Sequence, residues 1–257
     1  LLRTLLEKCD PLEAKYVVKI LLGEMRHGAS EGLVEEAIAL ISNAPIEVVK
    51  RAHMMIGDIG ELAEIGIKGG VQALKSVKMR LFHPLEPMLA QPAESVEEAL
   101  KVHGGRTAFE WKLDGARVQI HKKGDHIKIF SRRLTDVTNS LPDVIEEVKG
   151  HIREDEVILE GEVIAVGDNE RPLPFQHLMR RFRRVKDVRE MVREIPVKLY
   201  LFDILYLNGK LLIDQPYLKR REILEEVSGG ISLVPQIVTS EPNDCLLYTS
   251  PSPRDRG

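Results

Sequence analysis

The chain has 257 residues, of which 43% are hydrophobic and 30% charged, a balance typical of a soluble globular protein with one large or two ordinary domains. No apolar run reaches the roughly 18 residues that a membrane span needs, and the first residues lack a signal-peptide pattern, so we expect a cytoplasmic protein with no membrane partner. The net charge of -3 does not by itself predict binding to nucleic acid.

The first 80 residues or so are predicted to be helical. The sequence D-P-L-E at residues 10–13 combines a capping aspartate, a first-turn proline and a capping-box glutamate, which together predict the start of a helix. Ser30 is placed to cap a second helix, and Pro45 opens a third. The paired glycines of G-D-I-G at residues 57–60 then interrupt the helical pattern.

The pattern changes at Phe82, where the two prolines of FHPLEPML hold the chain extended and strand-like segments begin to dominate. We therefore predict a domain boundary there, with a helical domain over residues 1–82 and a second domain over residues 83–244. Because this second part mixes helix and strand signals without an internal repeat, its predicted class is α+β.

Several elements of the second domain are readable from local patterns. Ser95 with Glu98 is a capping box for a short helix, and residues 108–111 form a predicted strand. Alternating apolar residues between 118 and 129, on either side of a polar loop, predict a β-hairpin. A helix is expected from Pro142, and the segments VILEGEVIAV and VKLYLFDILYL are strongly strand-like.

Both ends of the sequence are unusual. The chain begins with Leu1 rather than methionine, so we expect its natural N-terminus to be missing. The sequence CLLYTSPSPRD at residues 245–255 resembles the conceptual translation of a transposase-type sequencing adapter. We expect residues 245–257 to be an unstructured artefact, and the natural protein to continue differently after Asp244.

The first chemical signal is K-L-D-G at residues 112–115, which matches the K-x-D-G signature of the lysine nucleotidyltransferases. Such a tetrapeptide occurs by chance about once in a few thousand positions, and a lysine before a turn is usually a surface residue. A lysine amine is nearly all protonated at pH 7, so its use as a nucleophile needs surroundings that favour the neutral form. A rigid strand edge, where Lys112 is predicted to lie, suits such a site.

Three further segments, SRR at 131–133, LEGEV at 159–163 and LFDILYLNG at 201–209, follow in the order and approximate spacing of the motifs of ATP-dependent DNA ligases. The segments RLFHPLEPMLAQ and PFQHLMRRFRR also look like this family. Apart from the tail, the whole chain resembles ligases of the archaeal and eukaryotic type. This resemblance implies a helical DNA-binding domain before an ATP-grasp-like adenylation (nucleotidyltransferase) domain with a mixed or antiparallel sheet.

The resemblance also implies roles for individual residues. The implied ATP site consists of Glu110, Lys112, Arg117, Arg132, Glu162 and Phe202. Lys112 would become linked to AMP, Glu162 would hold the ribose hydroxyl or Mg²⁺, and Phe202 would stack on the adenine. Without the resemblance, Glu110 would be a strand-edge acid, the arginines surface cations and Phe202 a core residue. Glu160 is either a second acid of the same layer or an exposed strand end.

A basic run within PFQHLMRRFRR implies contacts with DNA phosphates, which would be sequence-independent. The residues concerned are Arg180, Arg181, Arg183 and Arg184; their alternative is a solvated basic face. The family's cofactors are ATP and Mg²⁺, and its partner is nicked double-stranded DNA in replication, repair and recombination. A sliding clamp is a further candidate partner, and a monomer is the expected state.

The family also uses a later glutamate motif, a final lysine pair and an OB-fold domain, none of which precedes the adapter-like tail. We therefore expect this chain to be inactive or very weak by itself. Two other functions remain open: an RNA ligase or capping-type nucleotidyltransferase, and a non-catalytic DNA-binding protein that keeps the fold. The helical region and PFQHLMRRFRR favour DNA ligase over the first, and formation of an enzyme–AMP adduct would exclude the second.

Overall fold

The computed structural model describes residues 2–22, 30–88, 90–167, 171–182 and 188–244. The chain divides into two compact units, one made of Leu1–His53 and Asp58–Val77, the other of Met54–Gly57 and Lys78–Gly257. In the ranges just given, no helix has both the length and the apolar character needed to cross a membrane.

The N-terminal region is helical, as the sequence predicts. Its helices are α1 (Leu2–Leu6), α2 (Pro11–Leu22), α3 (Glu31–Ser42), α4 (Ile46–Ile56) and α5 (Ile59–Ser76). The capping box before α2 is confirmed: Asp10 Oδ1 accepts the backbone N–H groups of Leu12 and Glu13 at 2.7 and 2.8 Å, and Glu13 Oε2 accepts the Asp10 N–H at 3.0 Å. Ser30 Oγ caps α3.

The second unit combines helices with antiparallel strands, which confirms the α+β class. Its elements in chain order are α6 (Val96–Val102), β1 (Thr107–Glu110), β2 (Ala116–Lys123), β3 (His126–Ser131), α7 (Pro142–His151), β4 (Glu156–Ala165), α8 (Phe175–Phe182), α9 (Val188–Glu194), β5 (Val197–Leu207), β6 (Lys210–Leu211), α10 (Tyr217–Val227) and β7 (Gln236–Thr239). The strands form a five-stranded sheet of order β3-β2-β4-β5-β6 and a two-stranded sheet of β1 with β7.

One face of the five-stranded sheet carries the hydrophobic core. Successive strand residues point to opposite faces, so Val118 and Ile120 of β2 face the same side as Leu159 of β4 and Leu201 of β5, and all four side chains are fully buried. Side chains of α7, α8 and α10 complete this core. Each such burial stabilises the fold by about 1.5–3 kcal/mol.

The opposite face of β2 is polar and contacts the segment of residues 82–87. The Gln119 side chain bonds both backbone groups of Leu85, accepting its N–H at 2.8 Å and donating to its carbonyl at 3.2 Å. Gln119 Oε1 also accepts from His121 Nε2 at 2.8 Å, and His121 Nδ1 accepts the Phe82 N–H at 2.9 Å. Burial lowers the pKa of His121 to about 3, with nearby His83 adding to the effect, so His121 is neutral and can accept.

Arg181 of α8 corrects one prediction from the sequence. Its side chain is fully buried, and its guanidinium donates to the carbonyls of Ser140 and Ile195 at 3.0 and 3.1 Å and to both carboxylate oxygens of Asp143. Because these acceptors occupy it inside the protein, Arg181 joins α8 to α7 and is not available to a DNA phosphate. A basic run at the end of a helix gives no indication of which arginine faces inward.

The rest of the basic run is only partly described. Arg180 is exposed and pairs with Glu194 at 2.7 Å, so its guanidinium lies at the surface. Arg183 and Arg184 lie outside the described residues. A surface role in this run therefore remains a prediction for three of the four arginines.

We predict that Arg181→Met lowers the free energy of unfolding by about 3 kcal/mol, because it leaves a partly buried carboxylate and two carbonyls without their donor. The matched control is Arg180→Met, which removes an exposed ion pair and should cost less than about 1 kcal/mol. Urea titration of both variants measures the difference. Equal midpoints would contradict the packing role of Arg181.

Candidate active site

The loop that carries Lys112 joins β1 to β2 and is held at both ends. At its start, the Trp111 N–H donates to the Pro235 carbonyl at 3.2 Å, which extends the pairing of β1 with the chain before β7. At its end, the Gly115 N–H donates to Glu162 Oε1 at 3.1 Å. The Lys112 side chain is exposed between these anchors. The loop is thus attached to β4 and to the residue just before β7.

Gly115 is required by a close approach of two strands. A side chain at this position would overlap the Val163 carbonyl oxygen, and its Cβ would lie only 2.8 Å from Ile164 Cγ2 and 3.0 Å from Glu162 Cγ. Real Cβ atoms do not come this near to backbone or branched side chains, so a larger residue would push β2 away from β4. The glycine of K-x-D-G therefore permits the contact with Glu162.

Arg117 is held by a buried carboxylate. Its guanidinium donates to Glu160, whose residue surface is only 4% exposed, and Gln119 Nε2 donates to the other Glu160 oxygen at 3.1 Å. Burial raises the pKa of Glu160, and the charge of Arg117 opposes this rise. Of the two alternatives that the sequence left for Glu160, the exposed strand end is excluded.

Phe202 lies on the polar face of the sheet, because its neighbour Leu201 faces the apolar side and successive strand residues alternate. Its neighbours Leu201 and Asp203 pair with consecutive residues of β4, Gly161 and Glu160, which leaves Phe202 as the extra residue. The ring is half-buried, and the Arg117 Cζ atom lies 5.4 Å from its centroid. Phe202 is therefore not part of the hydrophobic core, unlike the fully buried Leu201.

Arg117 and Arg132 line the same shallow cavity. Leu85 and Pro87 of the segment of residues 82–87 form another wall, and Ser131 adds a hydroxyl next to Arg132. Glu160, whose carboxylate accepts from Arg117, lines the same cavity, so the positive charge of the two arginines is partly offset there. Arg117 and Arg132 belong to separate sequence motifs, and both line this cavity.

Glu110 contacts helix α10 and does not line the cavity between Arg117 and Arg132. Its carboxylate accepts from the Tyr217 hydroxyl of α10 and lies 3.9 Å from Arg221 Nη1. Burial raises the pKa of Glu110, while the bond from Tyr217 and the charge of Arg221 work in the opposite direction. Glu110 is joined to the remainder of the site through the backbone that leads to Lys112.

A metal would need ligands beyond those of the protein. Across the described ranges, no three or more His, Cys, Asp or Glu side chains come together in a way that could hold an ion. Mg²⁺ is commonly bound by one or two carboxylates together with substrate phosphates and water. Glu162, which is half-buried beside the Lys112 loop, could supply one such carboxylate.

The structure thus connects most of the residues that the sequence singled out. Glu162 contacts the loop of Lys112, and it pairs across the sheet with Arg117, which touches Phe202 and shares a cavity with Arg132. Gln119 was missed, although its period-two spacing from Arg117 in β2 could have indicated a polar face. No local signal marks Tyr217 or Arg221.

Comparison with known proteins gives a consistent result. The sequence model of the ATP dependent DNA ligase domain matches residues 87–246, which is more than half of the chain. The model of the DNA ligase N terminus matches residues 1–39. These two matches follow the same order as the helical region and the α+β unit.

Individual relatives are also DNA ligases. The chain is 44% identical over 243 residues to the DNA ligase of Thermococcus fumicolans, covering 93% of this chain and 44% of that protein. It is 47% identical to the DNA ligase of Methanococcoides burtonii, and this match covers 90% of this chain and 41% of that protein. It therefore spans less than half the length of these curated relatives.

Among solved structures, the ligase domain of LigD from M. tuberculosis is 23% identical, with a TM-score of 0.42, over 55% of this chain and 42% of that chain. The matches of the two sequence models, with archaeal relatives more than 40% identical along nearly all of the chain, establish the family. The chain belongs to the ATP-dependent DNA ligases.

Proposed function

We propose that the full-length protein containing this chain seals nicks in double-stranded DNA through a lysine–AMP intermediate on Lys112. The observation that carries the proposal is the seating of the Lys112 loop, anchored through Gly115 to Glu162, on the same sheet face as Arg117 and Phe202. Membership of the ATP-dependent DNA ligase family supports it.

The proposed reaction has three steps. In the first, the neutral Lys112 amine attacks the α-phosphorus of ATP, so that a P–N bond forms, the bond to the β-phosphate breaks, and pyrophosphate leaves. The amine proton passes to solvent or to the leaving group. In the second, the 5′-phosphate at the nick takes AMP from the lysine. In the third, the 3′-hydroxyl attacks that phosphate, a phosphodiester forms, and AMP is released.

The surrounding residues have distinct roles in this proposal. Arg117 and Arg132 bind the nucleotide through its ribose and phosphates, which suits the fork of a guanidinium group. Phe202 stacks on the adenine, a contact worth about 1–3 kcal/mol by analogy with other base–aromatic pairs. Glu162 orients the ribose hydroxyl or holds Mg²⁺, and the ion, when bound, offsets charge that builds on the α-phosphate.

DNA binding in this proposal rests on surface cations and on the helical region. Arg180, with 55% of its side chain exposed, is free to exchange Glu194 for a phosphate; Arg183 and Arg184 stay predictions of the sequence. Such contacts are independent of base sequence and weaken as salt rises. A sliding-clamp partner, a monomeric state and a cytoplasmic location remain expectations of the same family resemblance.

We predict that Lys112→Ala abolishes the adduct with AMP. The full-length protein is incubated with ATP and Mg²⁺, and intact mass spectrometry with peptide mapping locates one added AMP on Lys112. The matched control is Lys210→Ala, which removes an exposed lysine at the start of β6 and should keep the adduct. An unsubstituted protein without adduct, or an adduct that persists in Lys112→Ala, would contradict the proposal.

The nucleic-acid substrate is tested separately with nicked duplexes that differ only in the sealed strand. A DNA ligase seals the all-DNA duplex, whereas an RNA ligase prefers the duplex with RNA strands. If the protein forms the adduct but seals only the RNA duplex, its substrate is RNA and the proposed DNA substrate is wrong. A protein that binds nicked DNA without any adduct would be the non-catalytic alternative.

We predict that Gly115→Ala lowers both the yield of adduct and the free energy of unfolding, the latter by about 1–3 kcal/mol, because the new Cβ separates β2 from β4. Gly150→Ala is the matched control. That glycine lies in α7 with open space around its Cα, so alanine should leave the adduct unchanged and stabilise the helix by up to about 1 kcal/mol. The yield of the AMP adduct and the midpoint of urea unfolding are measured for both variants and for the unsubstituted protein. Full adduct yield in Gly115→Ala would show that the close approach is dispensable.

A further inference from the structure

The buried carboxylate of Glu160 is shared by two side chains of β2. Gln119 Nε2 donates to its Oε1 at 3.1 Å, and Arg117 Nη2 donates to its Oε2. A carboxylate that accepts a donor on each oxygen has its plane fixed, because rotation of the group would break both hydrogen bonds. The orientation of the Glu160 carboxylate therefore depends on Gln119 as well as on Arg117.

The amide of Gln119 has only one orientation that satisfies its neighbours. Its Oε1 accepts the Leu85 N–H and the His121 Nε2–H, both at 2.8 Å, and its Nε2 also donates to the Leu85 carbonyl at 3.2 Å. His121 presents its proton on Nε2 because its Nδ1 accepts the Phe82 N–H at 2.9 Å. A flipped amide would set its oxygen against a carbonyl and a carboxylate. The backbone at Phe82 and Leu85 thus fixes the donor that Gln119 turns towards Glu160.

Arg117 extends from Glu160 to the cavity. Its side chain is 27% exposed, whereas that of Glu160 is 5% exposed, and its Cζ lies 5.4 Å from the Phe202 centroid. Arg117, Gln119 and Glu160 all line the cavity that Arg132 also lines. A guanidinium group has more N–H donors than a bond through Nη2 uses, so Arg117 can bind the carboxylate and a nucleotide at the same time.

Without the amide, the Glu160 carboxylate would be free to turn towards Arg117. A carboxylate and a guanidinium group readily form two parallel hydrogen bonds. In that arrangement both oxygens of Glu160 would hold the guanidinium against the sheet, and fewer N–H groups would be left for a nucleotide. An amide bonded to the first oxygen thus opposes a pairing that would withdraw Arg117 from the cavity.

We propose that Gln119 is a positioning residue for nucleotide binding, which fixes the Glu160 carboxylate and through it holds the Arg117 guanidinium at the cavity. The inference rests on the proposed function, in which Arg117 binds the ribose and phosphates of ATP. Gln119 acts through Glu160 and Arg117 and not on the reacting atoms. Its loss should weaken the binding of ATP and leave the reaction of bound ATP with Lys112 unchanged.

The test compares Gln119→Met with the unsubstituted full-length protein, because methionine is similar in length but makes none of the hydrogen bonds of the amide. The rate of lysine–AMP formation is measured as a function of ATP concentration. We predict that the ATP concentration for half-maximal rate rises about tenfold, as expected for one misplaced hydrogen bond to a charged group. The maximal rate should stay unchanged, which is the pattern of lost binding without lost chemistry.

Arg181→Met is the matched control for loss of stability. It also removes buried hydrogen bonds, but these join α7 to α8, and Arg181 does not line the cavity, so the half-maximal ATP concentration should not change. Gln119→Glu is a second test variant that keeps an acceptor for Leu85 and His121 and removes the donor to Glu160. It should raise the half-maximal ATP concentration even if Gln119→Met does not fold.

A double-mutant cycle tests whether Gln119 acts through Arg117. ATP affinity is measured by calorimetry in the Lys112→Ala protein, which cannot form the adduct, with Gln119→Met and Arg117→Met added singly and together. We predict that Gln119→Met weakens ATP binding about tenfold when Arg117 is present and has no further effect in the Arg117→Met background.

Two results would count against the role of Gln119. They are an unchanged half-maximal ATP concentration in a Gln119 variant that forms the adduct, and an equal loss of ATP affinity with and without Arg117. Either result would overturn this inference only. An unsubstituted protein that forms no lysine–AMP adduct would overturn the proposed function and this inference together.

Discussion

The antiparallel pairing of β2 with β4 is the constraint on which the rest of the site depends. Its register places Arg117 opposite Glu162 and Gln119 opposite Glu160. A guanidinium group and an amide therefore face two carboxylates on one face of the sheet. The other face of the same strands is apolar and buried at Val118, Ile120, Leu159 and Val163. A shift by one residue would exchange the two faces and would place these charges in the core. Burial of the apolar face therefore secures the geometry of the polar one.

The polar face is stable because its buried groups satisfy one another. Gln119 uses both amide hydrogens and accepts twice on its oxygen, from Leu85 and His121. A buried polar group without partners costs about 1–3 kcal/mol, so this amide has a single favourable arrangement. The segment of residues 82–87 is consequently bound to the face that carries Arg117. Through Leu85 and Pro87, the segment also forms a wall of the cavity between Arg117 and Arg132.

The residues of the site differ in exposure and in the element that carries them. Lys112, the proposed nucleophile, is an exposed side chain in a short loop, whereas Arg117, Glu160 and Glu162 lie on strands and contact their neighbours. The close approach of Gly115 to β4 and the bulge at Phe202 are local departures from regular strand structure, and both occur next to the proposed nucleotide. Such irregularities commonly redirect a backbone or side chain near functional sites. Here the first brings Glu162 to the loop of Lys112, and the second leaves Phe202 as an extra residue between Leu201 and Asp203.

Local sequence patterns predicted the helical N-terminal region, the capping box at Asp10, the cap at Ser95, the hairpin of β2 and β3, and the motifs from which the family could be recognised. These features depend on residues a few positions apart, where periodicity and capping act. By contrast, the burial of Arg181, the bond from Arg117 to Glu160 and the bond from Tyr217 to Glu110 follow from the folded arrangement. Those contacts join residues 38 to 107 positions apart. Their formation depends on which strands pair and how helices dock, and no local pattern encodes the burial or the partner of a single charged side chain.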